Sequence, residues 1–208
     1  MAQETIDTPS RIVVLASGSG SNLQVLLDAA ESGWSVVGVV SDQPTARALQ
    51  RAADAGVASR VVEWNDYSDR DEFTDAICAA ALDFDPDYVV LAGFMRVLGP
   101  GAITHFPNRI INVHPSLLPA FPGAHGVRDA IAYGAKVTGV TVHFVDEHLD
   151  HGPIIAQEAL EVVAGDDEAA LHSRIQEIEH RLLPQVVTGL AKGELYIDGR
   201  VVNRRVNA

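Results

Sequence analysis

Short runs of β-branched residues separated by longer amphipathic stretches fill the first half of the chain, and this alternation restricts the fold more than any other feature. The runs Ile12-Val13-Val14-Leu15 and Val36-Val37-Gly38-Val39-Val40 enclose an amphipathic stretch over residues 22–30, and another follows over 46–55. Strands that are apolar throughout must be covered on both faces, which predicts a parallel sheet between helices. The rhythm continues with a strand over 60–63, a helix over 69–82, a strand over 88–91, a helical turn over 99–106 and a strand over 110–113. Beyond Pro115 it changes to a Pro/Gly-rich loop over 118–126, a short helix ending at Tyr133 and an alternating strand over 140–145. A hairpin arm over 153–161 and a helix over 168–190, kinked or broken at Pro184, complete the pattern. The predicted fold is α/β: a mostly parallel twisted sheet with helices on both faces, Rossmann-like, with antiparallel strands in the C-terminal half. Residues 1–10 are expected to be a disordered lead-in without the apolar core of a signal peptide, and residues 11–208 a single domain.

Charge narrows the function classes. Asp and Glu number 28 against 15 Lys and Arg, a formal net charge of −13. Such a surface repels nucleic acid and anionic membranes, so small-molecule substrates are the expected partners. An anionic substrate must then be held by locally aimed donors. The apolar runs are too short for a membrane span. With Cys78 as the single cysteine no intrachain disulfide can form, and a reducing cytoplasm is the expected compartment.

The segment Ser17-Gly18-Ser19-Gly20-Ser21-Asn22 joins the first strand to the first helix. Unpaired backbone N–H groups at a helix N-terminus favour an anion there, and a single phosphate monoester fits best. Two alternatives stay open at this point. One is a tight turn with Ser21 or Asn22 capping the helix. The other is a dinucleotide loop, for which Leu23 stands where a third glycine belongs and Asp42 follows the second strand. A triphosphate-hydrolysing loop would end Gly-Lys-Ser/Thr, which is absent.

Asn112 and His114 lie two residues apart on one side of a strand, and Asp150 lies in a turn after the alternating strand. An amide, an imidazole and a carboxylate at strand ends suit a carbonyl activator, a proton-transfer group and its orienting partner. The same residues could instead tie down loops. No Gly-x-Ser-x-Gly elbow occurs and Cys78 falls mid-helix, so the substrate is expected to supply the nucleophile. His148, Asp150 and His151 invite a metal, but no His-Glu-x-x-His or Cys-x-x-Cys framework supports one, and no metal is expected. His143 reads equally well as a core histidine. Arg70 and Arg96 are solvated charges or, for Arg96 after Gly93-Phe94-Met95, a pocket rim.

Four segments in order carry a resemblance: residues 15–23, the run Val90-Leu91-Ala92-Gly93-Phe94-Met95-Arg96-Val97-Leu98, the run Asn112-Val113-His114-Pro115-Ser116-Leu117-Leu118-Pro119, and Leu149-Asp150-His151-Gly152-Pro153. Together they resemble the glycinamide ribonucleotide formyltransferase family, over about residues 11–203. The resemblance implies a formyltransferase-type fold with a phosphate-binding half (11–107) and a folate-binding, catalytic half (108–208). It implies transfer of a formyl group from 10-formyltetrahydrofolate to the amine of 5-phosphoribosylglycinamide in purine synthesis, with no metal. Asn112, His114 and Asp150 become the catalytic set. The backbone of Gly20, Ser21 and Asn22 becomes the phosphate site, and Glu179 an acidic contact to the glycinamide substrate. Met95, Val97, Leu98, Asn112, Asp146 and Asp150 line the folate pocket, with Arg70 and Arg96 near the glutamate tail. A homodimer is left open. The relatives that share these motifs, formyltetrahydrofolate deformylase and methionyl-tRNA formyltransferase, would be expected to carry a regulatory domain and a basic extension respectively. A non-catalytic folate-binding module would need no Asn, His and Asp set.

Overall fold

The structure, a computed structural model, describes residues 9–30 and 33–205. The expected lead-in falls mainly on residues 1–8, outside that range. The first half contains β1 (Ser10–Leu15), α1 (Ser21–Asp28), β2 (Trp34–Ser41), α2 (Arg47–Asp54), β3 (Ser59–Val61), α3 (Arg70–Leu82) and β4 (Tyr88–Leu91). Then come α4 (Gly101–His105), β5 (Ile110–His114), α5 (Gly126–Tyr133), β6 (Val137–Phe144), β7 (Ile154–Glu161), α6 (Glu168–Ala191), β8 (Leu195–Asp198) and β9 (Val201–Arg204). All these strands share one sheet in the order β3-β2-β1-β4-β5-β6-β7-β9-β8. Pairing is parallel from β3 to β5, and β6 and β7 run antiparallel. The α/β class and the change to antiparallel pairing in the C-terminal half are as expected.

Period-two alternation along β1 explains the two covered faces. Ile12 and Val14 pack with Leu23 and Leu26 of α1 and with Leu171, Ile175 and Leu183 of α6. Val13 and Leu15 face the other way, onto Phe73, Ile77 and Ala81 of α3. Asp69 caps α3 by accepting the Asp71 and Glu72 N–H groups. Among the described residues no helix is long and apolar enough to cross a membrane.

Four details differ from expectation. The first strand begins at Ser10, inside the expected lead-in, rather than at Ile12, and β3 ends at Val61, short of the 3₁₀ turn over residues 64–66. Helix α6 runs unbroken through Pro184. Leu182, Leu183, Val186 and Val187 around the proline are buried, and their packing outweighs the lost backbone hydrogen bond. Residues 195–204 form a hairpin where no element is expected.

Candidate active site

Strand β1 pairs with β2 on one side and β4 on the other, so the direction of chain progression reverses between β1 and β4. Ligands of open α/β sheets bind in the crevice beyond the carboxyl ends of the strands at such a point. The glycine loop lies at the end of β1, beside the segment after β4: Ser17 N–H donates to Gly93 O at 3.1 Å and Met95 N–H to Ser17 Oγ at 2.9 Å.

In the glycine loop the helix cap is Gly20, at φ 69, with no side-chain capping bond. Capping by Ser21 or Asn22 is therefore corrected. The first helical bond runs from Gln24 N–H to Gly20 O at 2.9 Å, leaving the preceding N–H groups of the first turn directed out of the helix. A Cβ at Gly20 would stand 2.8 Å from Ala48 Cα, so glycine is required for both its dihedral and its space. Two features weigh against the dinucleotide alternative. Leu23 is fully buried in the core, and Asp42 is an ion-pair partner of Arg96 at 3.0 Å.

A cleft of about 390 Å³ opens along β4 and β5. Its walls include Arg70, Met95, Arg96, Val97 and Leu98 on one side and Asp146 with Asp150 on the other. Asn112, His114 and His143 lie at its base. Met95 is 73% exposed and Val97 52% exposed, an apolar lip that open water disfavours. Arg96 is not a free charge: its Nε donates to buried Asp42 and its guanidinium stacks 5.1 Å from the Trp64 ring. Arg70 stays about half exposed, 3.8 Å from Asp71.

At the base, antiparallel register sets Asn112 opposite His143. Asn112 Nδ2 donates to His143 Nε2 at 3.2 Å, while His143 Nδ1–H donates to Phe144 O at 2.7 Å. These bonds specify the Nδ1–H tautomer of a neutral ring. Burial lowers the His143 pKa from its ordinary value, against the Phe144 carbonyl and Asp150, which pull the other way. His114 Nε2–H faces Phe121 O at 2.9 Å, and His114 Nδ1 lies 3.5 Å from Asp150 Oδ2. Asp150 Oδ2 also accepts the Gly123 N–H at 2.6 Å, and Asp150 Oδ1 stands 3.9 Å from His143 Nε2. Asp150 itself has φ 50, a left-handed conformation rare for a residue with a side chain.

Gly20, Ser21, Asn22 and Glu179 lie outside this cleft lining and form a second cluster. Asn22 Nδ2 donates to Glu179 Oε2 at 2.9 Å, and both residues are buried. Burial pushes the Glu179 carboxyl up to about 7, partly offset by the Asn22 bond. Asn22 Oδ1 has no hydrogen-bond partner among the described residues although it is buried, an arrangement that suits an incoming donor. Among the described residues no group of three or more His, Cys, Asp or Glu side chains could hold a metal ion. His151 Nδ1–H instead bonds Asp146 at 2.7 Å. The residue that sequence reasoning left undecided is His143, whose place opposite Asn112 depends on strand register.

A crevice at the reversal point of a doubly covered sheet, with an amide, two imidazoles and a carboxylate converging in it, is that of an α/β enzyme with acid–base equipment. Residues 10–187 match the formyl transferase family. Phosphoribosylglycinamide formyltransferase of Mycobacterium tuberculosis is 51% identical over 194 residues, covering 92% of this chain and 90% of that protein. Its Escherichia coli counterpart is 41% identical over 187 residues, 88% of each. The crystal structure of glycinamide ribonucleotide transformylase 1 from Symbiobacterium toebii superposes with a TM-score of 0.92 at 44% identity, over 95% of this chain and 94% of that one. The chain belongs to the formyl transferase family and is a formyltransferase enzyme.

Proposed function

We propose that the enzyme transfers the formyl group of 10-formyltetrahydrofolate to the amine of 5-phosphoribosylglycinamide, the step of purine synthesis for which its relatives are named. The observation that carries this reading is the spacing of the two clusters. The glycine loop follows β1 and the Asn112–His114 pair ends β5, two strands away, or about 10 Å at ordinary strand spacing. A ribonucleotide with its phosphate on the Gly20–Asn22 backbone can extend its amine to the base of the cleft. Glu179 and Asn22 face it on the way as acceptors for hydroxyl or amide hydrogens. The cleft volume lies in the range of sites for drug-sized ligands, which suits a folate whose aromatic parts cover Met95, Val97 and Leu98.

Chemically, the amine nitrogen bonds to the formyl carbon, the bond from that carbon to the folate nitrogen breaks, and the amine proton is passed on while the departing nitrogen gains one. Asn112 keeps a second Nδ2 hydrogen beyond the one given to His143, and it is free to donate to the developing oxyanion. His114 has an oxygen facing each ring nitrogen and can hold a proton on both. Serving the oxyanion requires its Nε2–H to exchange the Phe121 carbonyl for substrate. Asp150 balances the imidazolium and takes up the amine proton, directly or through water. Cys78 offers no thiolate, since burial and Asp75 push its thiol up to about 12. In this reading the amine attacks the formyl carbon directly, with no covalent enzyme intermediate.

Absorbance of the formyl donor, followed with and without the ribonucleotide amine, tests the proposal. Donor loss that depends on the amine is expected. Donor loss in water alone would make the enzyme a hydrolase, and calorimetric folate binding without turnover would make it a binding module.

A further inference from the structure

The C-terminal hairpin lies beyond the residues that match the family, yet its turn reaches the wall of the cleft. Val201 of β9 pairs with Ile154 of β7, which sets the preceding residue, Arg200, beside the loop over residues 145–152. Arg200 Nη2 donates to His151 O at 2.6 Å, and Nη1 lies 3.2 Å from His151 Nε2. His151 Nδ1–H bonds Asp146 Oδ2 at 2.7 Å, and Asp146 Oδ1 accepts the His148 N–H at 3.0 Å. One guanidinium thus secures both a main-chain oxygen and the ring that closes the loop on itself. Asp150 sits immediately before His151 in its left-handed conformation. On its other side Gly152 is pressed so closely to β6 that a Cβ there would overlap the Phe144 carbonyl oxygen. A strained residue persists only where its surroundings over-determine it.

We propose that Arg200 is a positioning residue for formyl transfer: through His151 and Asp146 it holds the loop that forms one cleft wall and aims the Asp150 carboxylate at His114. The inference rests on the function proposed above. Arg200 touches neither substrate nor reacting atoms in this scheme. Its loss should therefore act on the folate side and on turnover while sparing the distant phosphate cluster.

The test compares wild type with Arg200→Ala and Arg200→Lys in steady-state kinetics, thermal unfolding and amide hydrogen exchange. Arg200→Ala is expected to raise the KM for the formyl donor and lower kcat, each about fivefold to tenfold, the scale of one charge-assisted bond discounted for exposure. The ribonucleotide KM should stay within about twofold, because the phosphate cluster lies across the sheet. Exchange should quicken over residues 146–152, with the melting midpoint within about 2 °C of wild type. Lysine should recover part of the loss, since it can still donate to His151 O. Normal kcat and donor KM in Arg200→Ala would overturn the inference, as would a fall in stability with normal kinetics. If the wild type itself fails to transfer formyl, the functional reading fails separately. Exchange alone then decides, and unchanged rates over 146–152 overturn the positioning role.

Discussion

Replacing Glu179 by glutamine should make the protein more stable at neutral and alkaline pH, by an amount that follows from its burial. The carboxyl is 5% exposed and bonded to Asn22 Nδ2, and burial carries its pKa from an ordinary 4.5 to about 7. Between those values the folded chain keeps a proton that the unfolded chain has released. The contribution is therefore fully present below about pH 4.5 and is lost as pH rises through about 7. At 1.36 kcal/mol per pH unit the span is worth about 3 kcal/mol. Glutamine does not titrate, and its Oε1 can still accept the Asn22 bond. Urea unfolding of both proteins at several pH values from 5 to 8 gives a difference in which other groups cancel. Glu179→Gln is expected to gain little at pH 5 and about 2–3 kcal/mol at pH 8. A difference that does not change with pH would refute the burial argument. The same substitution is expected to raise the ribonucleotide KM about tenfold or more, exchanging affinity for stability.

His114→Ala, Asn112→Ala and Asp150→Ala should each lower kcat about 100-fold or more with little change in ribonucleotide affinity, and a double substitution should cost far less than the product of the singles. Kinetics together with direct binding measurements check this, and near-normal kcat in any one folded variant would make that residue structural. Gly20→Val should raise the ribonucleotide KM and abolish competition by inorganic phosphate, because it blocks backbone approach and strains φ. Exhaustive chelation should leave turnover intact; activity lost to a chelator and restored by a stoichiometric divalent ion would reverse the reading of His148, Asp150 and His151.

The buried strands were legible because a parallel strand covered on both faces needs apolar residues throughout, as Val36 to Val40 and Val89 to Leu91 show. The C-terminal hairpin was not. Its apolar face is small, only Leu195, Ile197 and Val202 partly buried against the core, and the one local signal is Gly199, at φ 59 in the two-residue turn between Asp198 and Val201. At Pro184 local propensity predicted a kink or a break, and the packing around it keeps the helix unbroken. In the cleft, Asn112 and His114 could be paired from their spacing alone. The Asn112–His143 bond depends on antiparallel register, and the Arg96–Asp42 pair joins residues 54 positions apart. Neither leaves a local signature. Motif resemblance supplied the grouping of Asp150 with the β5 residues, which residue spacing had left open.

Asn22 and Glu179 stand 157 positions apart, and α6 covers the same apolar face that α1 and Trp34 share. Trp34 Nε1–H even finds its hydrogen-bond acceptor, Thr188 Oγ1, on that late helix. On the ribosome, then, the glycine loop emerges early and Glu179 much later. Until α6 emerges, Leu23, Leu26 and Trp34 lack the cover of Leu171, Ile175, Leu183 and Val187. A nascent or truncated chain ending before residue 168 would present a greasy face to chaperones and proteases, and so be cleared rather than persist half-folded.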